Sequence, residues 1–319
     1  MVAAAVLLLG SAGALGWNAV IGAYRGPGPL AAARDVVVPH GGPEEVGRAL
    51  LSAGVIGHVW QFRLAVAATS RDGVLRAAEL AFPAHASLAT VLDVLRRGRP
   101  VEHFVTIPEG LTAAEIEALL ARTPGLTGKA PLPAEGALLP QTYAFTLGTT
   151  RRAVEARAEA AMTRALRGVW QGRDAALPLA SPEQLVTLAS IVERETALAA
   201  ERPLVASVFL NRLRLGMRLQ SDPTVIYADS AGGGTLAHPL TRADLERPSP
   251  YNTYQVDGLP PGPIDSPGLA SLEAVAHPAA SRDLYFVANG SGGHAFARTL
   301  AAHNRNVARW RALNGETGH

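Results

Sequence analysis

Two carboxylates one residue apart, Glu193 and Glu195, stand at the end of Leu188-Ala-Ser-Ile-Val-Glu-Arg-Glu-Thr196, a run otherwise apolar over most of a helix's circumference. Apolar neighbours desolvate a carboxyl and raise its pKa toward the range in which it can donate a proton. The spacing therefore points to general acid chemistry. At 3.6 residues per turn Glu193 falls within roughly 60° of Val186, Ala189, Ser190 and Ala197, and Glu195 within roughly 60° of Gln184, Leu188, Ile191 and Leu198. The smaller side chains around Glu193 leave room for a ligand, which makes it the better candidate for the acid. The competing reading is that both glutamates are structural partners of Arg194, Arg212 or Arg218, since structural ion pairs also perturb pKa.

The elements that must position this pair are marked in the sequence. Ser181, Pro182 and Gln184 form a capping-box start, so the helix is expected to run from Ser181 to about Ala199. Pro203 to Leu215 is predicted as a second helix, stopped by Gly216. Arg218 to Thr224 is an extended piece entering a new helix, with Asp222 expected as N-cap and Pro223 at the first helical position. A further capped helix spans Thr241 to Glu246. Pro248 to Gln255 and Gly258 to Ile264 read as Pro-stiffened loops presenting Tyr251, Asn252, Thr253 and Tyr254, and contact residues are frequent on such loops. Tyr285 lies in a predicted hairpin turning at Asn289 to Gly293, and Leu300 to Leu313 makes a terminal helix.

Upstream, Asp35 to Gly41 and Phe104 to Gly110 each read as a strand ending in a turn, followed by helices at Pro43 to Leu51 and Thr112 to Leu120, the latter capped by Thr112 and Glu115. Trp60 to Ala68 and Leu88 to Leu95 are helix-like, and Arg76 to Phe82 is ambiguous between strand and helix. Arg151 to Trp170 is a long Ala-rich helix with Val154, Ala158, Ala161, Ala165 and Val169 along one stripe.

A chain of 319 residues with 48% hydrophobic content has enough apolar surface for two or three packed cores. A formal net charge of +2, spread along the chain, shows no nucleic-acid footprint. The absence of cysteine excludes disulfides and thiolate chemistry. From Val2 to Ala23 no residue is charged, a length suited to a single membrane anchor, with Trp17 and Tyr24 as interfacial residues; a cleaved signal peptide is the rival. No Lys or Arg precedes this run, so charge gives no orientation.

In order along the chain, the Leu188 to Thr196 run, Val208-Phe-Leu-Asn-Arg-Leu213, Met217-Arg-Leu-Gln-Ser-Asp-Pro-Thr-Val-Ile-Tyr227, Tyr251-Asn-Thr-Tyr254, Gly258-Leu-Pro-Pro-Gly-Pro-Ile264 and Leu284-Tyr-Phe-Val287 resemble the successive blocks of the MltG/YceG-like endolytic murein transglycosylases. Glu135-Gly-Ala-Leu-Leu-Pro-Gln-Thr-Tyr143 and Ile107-Pro-Glu-Gly110 are similar to the family's membrane-proximal half. The resemblance implies a single-pass enzyme of the inner (cytoplasmic) membrane with its catalytic domain on the periplasmic side. Its partners would be the membrane and peptidoglycan glycan strands, cut at the MurNAc-β-1,4-GlcNAc bond to leave 1,6-anhydro ends, with peptidoglycan synthases as a candidate partner. It implies Glu193 as the catalytic acid. The residues of the same blocks, Glu195, Asn211, Arg212, Gln220, Ser221, Asp222, Thr224, Tyr251, Asn252, Thr253 and Tyr254, are read as candidate substrate contacts, and no cofactor or metal is expected.

The expected fold class is α+β: an N-terminal membrane helix, LysM-like βα units and a mixed α+β catalytic domain. The expected organisation is an anchor over 1–24, a linker over 25–34, a LysM-like membrane-proximal region over 35–130, a connector helix region over 131–175 and a catalytic domain over 176–319. Asp222 reads equally well as a helix cap, and Glu195 as a structural partner of Arg212. His238, His277, His294 and His303 lack metal-site spacing, and Gly290-Ser291-Gly292 fits a hairpin turn better than a nucleophile elbow. The non-enzymatic alternative is a membrane-anchored scaffold that binds glycan and recruits synthases.

Overall fold

The computed structural model describes residues 21–313. The expected membrane anchor lies almost wholly outside them, and among the described residues no helix is long and apolar enough to cross a membrane. The fold is mixed α+β, with three two-stranded sheets among the described residues. Two compact units divide the chain, one up to His103 with residues 145–147, the other holding residues 104–144 and 148–319.

The first unit is a β-α-α-β arrangement followed by a third helix. Strand β1 (Arg34–Val37) leads to helices α1 (Pro43–Ser52) and α2 (Val59–Ala68), and strand β2 (Glu79–Phe82) returns antiparallel to β1 with Val36 opposite Leu80. Of the ambiguous 76–82 segment, residues 79–82 are a strand. Helix α3 (Leu88–Arg97) is capped by Ser87, whose hydroxyl accepts from the Thr90 N–H at 3.1 Å. Val46, Leu50, Phe62, Leu80, Phe82, Val91 and Leu95 fill the core. Only the first of the two expected βα repeats closes in this way. The second, strand β3 (Glu102–Thr106) with helix α4 (Ala113–Arg122), pairs its strand with β4 (Thr142–Thr146).

The second unit is built on helices. Helix α5 (Arg151–Gly172) lays its Val154, Ala158, Ala161 and Val169 stripe inward, as periodicity predicts. Helices α6 (Pro182–Glu195), α7 (Arg202–Arg214), α8 (Asp222–Asp229), α9 (Arg242–Glu246) and α10 (Leu269–Ala276) follow, then the hairpin β5 (Tyr285–Ala288) and β6 (His294–Ala297), and α11 (Leu300–Leu313). Helix α10 packs on α5, α6 and α7. It has no counterpart in the sequence reading, because Leu-Ala-Ser-Leu-Glu-Ala-Val-Ala is nearly all apolar and its N-cap, Gly268, offers no capping side chain.

Two boundaries differ from expectation, and both bear on the site. Helix α6 ends at Glu195 and not near Ala199. Thr196 is extended, and its hydroxyl accepts from the Leu198 N–H at 3.1 Å, a local bond that competes with another helical turn. Ser181 accepts from the Gln184 N–H, but the Gln184 side chain bonds Ala180, so the box is not closed on the cap residue. Downstream, Ser221 holds the N-cap position of α8, which makes Asp222 its first helical residue.

Candidate active site

The two glutamates of α6 point to different surroundings. The Glu193 side chain is 4% exposed, and both of its oxygens accept hydrogen bonds. Oε1 takes one from the Arg202 guanidinium at 2.8 Å, and Oε2 takes one from the Gly268 N–H at 2.9 Å. Arg202 also reaches Glu109 at 3.3 Å. On the same stretch of helix Arg194 donates to the carbonyls of Gly110 and Gly234, and the Ser190 hydroxyl accepts from the Ile264 N–H. This edge of α6 therefore fastens the 109–110 turn and the 264–268 segment. Both oxygens of this carboxyl thus act as acceptors, one of them toward a cation.

Beside it lies Asp265, fully buried, neither of whose oxygens has a hydrogen-bond partner. Burial, reinforced by the nearby Glu193, pushes its carboxyl well above the usual carboxylate range.

Glu195, at the last position of α6, lines a cavity of about 180 Å³ together with Arg212, Leu219, Gln220, Asp222, Tyr254 and Phe286. The Ser221 hydroxyl donates to Oε1 at 2.5 Å, and among the described residues no other group bonds this carboxyl. Its pKa is raised to about 7, chiefly by burial, against the lowering effect of the Ser221 hydrogen bond; Asp222 adds to the rise and Arg212 opposes it. A carboxyl half-protonated near neutrality, opening on a polar cavity, is equipped for proton donation and for taking the proton back.

The cavity wall is held by backbone-directed bonds. Arg212 does not pair with Glu195: its Nε donates to the Leu284 carbonyl at 2.7 Å and its Nη1 to the Leu219 carbonyl at 2.6 Å. That corrects the expected Glu195–Arg212 pair, since the guanidinium is spent joining α7 to the carbonyl just before β5 and to the 218–219 segment. Gln220 sits at φ +52°, a left-handed turn that follows Leu219, and its N–H donates to the Thr253 carbonyl. Behind it Ser221, Thr224 and Thr253 form a buried hydroxyl network, with the Thr253 hydroxyl accepting from the Ser221 N–H at 2.9 Å and lying 2.9 Å from that of Thr224. Tyr254 donates to Asp222 at 2.6 Å, and burial with that bond raises the phenol's pKa.

The remaining sequence candidates fall outside the cavity lining. Asn211 ties α7 to the carbonyls of Ser281 and Asp283. Asn252, 1% exposed, donates to carbonyls at the end of α9, among them Arg247 at 2.8 Å. Tyr251 packs on Tyr227, whose hydroxyl donates to Glu135 at 3.2 Å. Burial raises the Glu135 carboxyl as well. Its other oxygen accepts from the Ala113 N–H at the start of α4, so it serves as an added cap on that helix.

The sequence reading missed Leu219 and Phe286 as lining residues; both lie inside the recognised blocks, and only their apolar type hid them. The four histidines are scattered, with His294 on Glu201 at 2.7 Å and His303 stacked on Tyr285. Ser291 sits in the β5–β6 turn and donates to Asn289.

Fold and site together define a protein that presents one high-pKa carboxylic acid at a helix end to a polar cavity, the equipment of an acid catalyst. The chain belongs to the YceG-like family, which matches residues 36–309. It is similar to the crystal structure of a YceG-like protein from Listeria monocytogenes, with a TM-score of 0.54 and 28% identity, covering 86% of this chain and 98% of that one. It is 39% identical over 173 residues to the endolytic murein transglycosylase of Bacillus subtilis, across 54% of this chain and 47% of that protein. A Streptococcus pneumoniae endolytic murein transglycosylase is 36% identical over 197 residues, 61% of this chain and 35% of that protein. The matched part is thus less than half the length of these two relatives.

Proposed function

We propose that this chain is an endolytic murein transglycosylase, cleaving the MurNAc-β-1,4-GlcNAc bond inside glycan strands and so limiting their length, and that Glu195 is its acid. The observation that carries this reading is the Glu195 carboxyl, which lines the cavity and whose pKa is raised to about 7. The wheel argument and the family resemblance favoured Glu193. The hydrogen bonds that occupy both Glu193 oxygens support moving the role two residues on.

Ordinary glycosidases need a second carboxylate to act as nucleophile or to activate water. Here the sugar's own C6 hydroxyl would attack. Protonated Glu195 donates to the leaving glycosidic oxygen as the C1–O bond breaks. The resulting carboxylate then takes the proton of the C6 hydroxyl as its oxygen bonds to C1, leaving a 1,6-anhydro end and consuming no water. Asp222, fixed by the Tyr254 hydroxyl, contributes negative charge beside the oxocarbenium-like transition state, and Gln220 offers a neutral polar group to a sugar hydroxyl. Ser221 orients the acid. Thr224, Thr253, Asn252 and Asn211 hold the cavity wall, and Tyr251 belongs to the neighbouring Tyr227–Glu135 cluster.

The β-α-α-β arrangement of the first unit supports a LysM-like reading for residues within 35–130, and the uncharged run over 1–24 supports a single-pass anchor with the catalytic part over 176–319 on the outer side of the membrane. Mass analysis of glycan strands digested with the full chain tests the function. A terminal sugar lighter by one water is the expected product; ordinary reducing ends would mean that water attacks, and no cleavage would favour the scaffold.

A further inference from the structure

The first unit leaves an apolar face uncovered. Helix α2 turns Phe62 and Ala65 into the core, yet Trp60 and Leu64, one turn apart on its other side, are 59% and 62% exposed. With Ala68 a turn further on, and with Ile21, Ala23, Tyr24 and Leu88, they line a groove of about 440 Å³. Gln61 and Thr69 also line the groove and Arg63 of the same helix pairs with Glu44, so the apolar face is bordered by polar groups, and an exposed apolar patch with a polar rim marks an interaction surface.

What covers it is indicated by where the chain comes from. The groove's rim is formed by residues 21–24, and the residues leading into them carry no charge from Val2 onward, a length suited to crossing the hydrocarbon core. Exposed Arg25 follows at once. Tryptophan and tyrosine with an apolar body and a polar edge settle at the headgroup level of a bilayer, and a cation beside them is drawn to anionic lipid.

We infer that the Trp60–Leu64–Tyr24 face is a membrane-surface contact, resting in the interfacial layer of the bilayer that the preceding segment enters. It rests on the anchor reading above, and it adds that the first unit is held down on the lipid surface by a second contact. The substrate-bearing unit would then be tethered at a unit with a fixed face to the membrane, and not at a freely swinging one.

The cysteine-free sequence supplies the test. Leu64→Cys in the full chain, labelled with an environment-sensitive nitrobenzoxadiazole fluorophore, is reconstituted into vesicles of phosphatidylethanolamine and phosphatidylglycerol, and vesicle flotation is read alongside quenching by lipids spin-labelled near the headgroup. Val37→Cys, exposed on β1 and outside the groove, is the control, and Trp60→Cys repeats the reading one turn away. The inference expects the chain to float with the vesicles and emission at positions 64 and 60 to fall about twofold with the quencher, with position 37 unchanged. Flotation with no quenching at 64 and 60 overturns the inference and leaves the anchor standing. Failure to float overturns both. Oxidative cross-linking of Leu64→Cys to itself, with no quenching, would show that a second copy covers the face, and it too overturns the lipid contact.

Discussion

At the scale of single residues, the difference between Glu193 and Glu195 is one of partners. If Glu195 is the acid, Glu195→Gln should lower turnover on glycan strands by about 10²- to 10⁴-fold, the ordinary worth of a positioned proton donor, with the melting temperature at pH 7 not lowered. Glu193→Ala should act on the fold. It leaves Arg202 buried without its nearest carboxylate and the Gly268 N–H without an acceptor, at a cost of about 3–5 kcal/mol, readable as a fall in denaturation midpoint. The raised Glu195 pKa also fixes two signs of pH dependence. Activity that needs the protonated acid declines as pH rises through about 7. The stability linked to this group is fully present below the unfolded carboxyl's pKa, near 4.5, and is lost as pH rises through about 7. Thermal melts should therefore find Glu195→Gln more stable than the parent at pH 8 and equal to it at pH 4; the reverse order would mean that the carboxyl is solvated. The helical wheel favoured Glu193, whereas the proposal made from the partners of the two carboxyls favours Glu195. A wheel sees only neighbours on the same helix, whereas the decisive groups, Arg202, Gly268, Ser221 and Asp222, arrive from elsewhere in the chain.

At the scale of elements, much was legible because the signals were local. The Thr112/Glu115 and Thr241/Asp244 capping boxes, the stop at Gly216 with φ +64° and the long stripe of α5 all stand where the sequence puts them. What escaped depends on tertiary placement: α10 has no polar face to give it a period, and the end of α6 turns on one threonine hydroxyl bonding forward. The 135–143 stretch is also specified by packing. Gly136 has φ +71°, and a Cβ there would meet Pro263 Cγ at 2.7 Å and Val186 at 3.0 Å. Gly136→Ala should accordingly cost about 1–3 kcal/mol through strain and overpacking against α6, measured by chemical denaturation. An unchanged midpoint would mean that the loop is free to move aside.

At the scale of the whole molecule, composition set useful bounds. A low net charge without a basic stripe argued against nucleic acid, and length with apolar content allowed two or three domains. The order of the blocks pointed to the family that the match over residues 36–309 establishes. Composition could not reveal that residues 104–144 pack with the larger unit, because that placement depends on long-range pairings such as Gly110 with Ser266. A one-acid mechanism uses no metal, so turnover should be unchanged in excess chelator; loss of activity there would point to a different chemistry. The most direct test digests purified glycan strands with Glu195→Gln and Glu193→Gln side by side, at equal folded concentration, and counts anhydro-muramyl ends by mass spectrometry. The account predicts such ends from Glu193→Gln and none above background from Glu195→Gln. Anhydro ends from folded Glu195→Gln at the parent rate would contradict it.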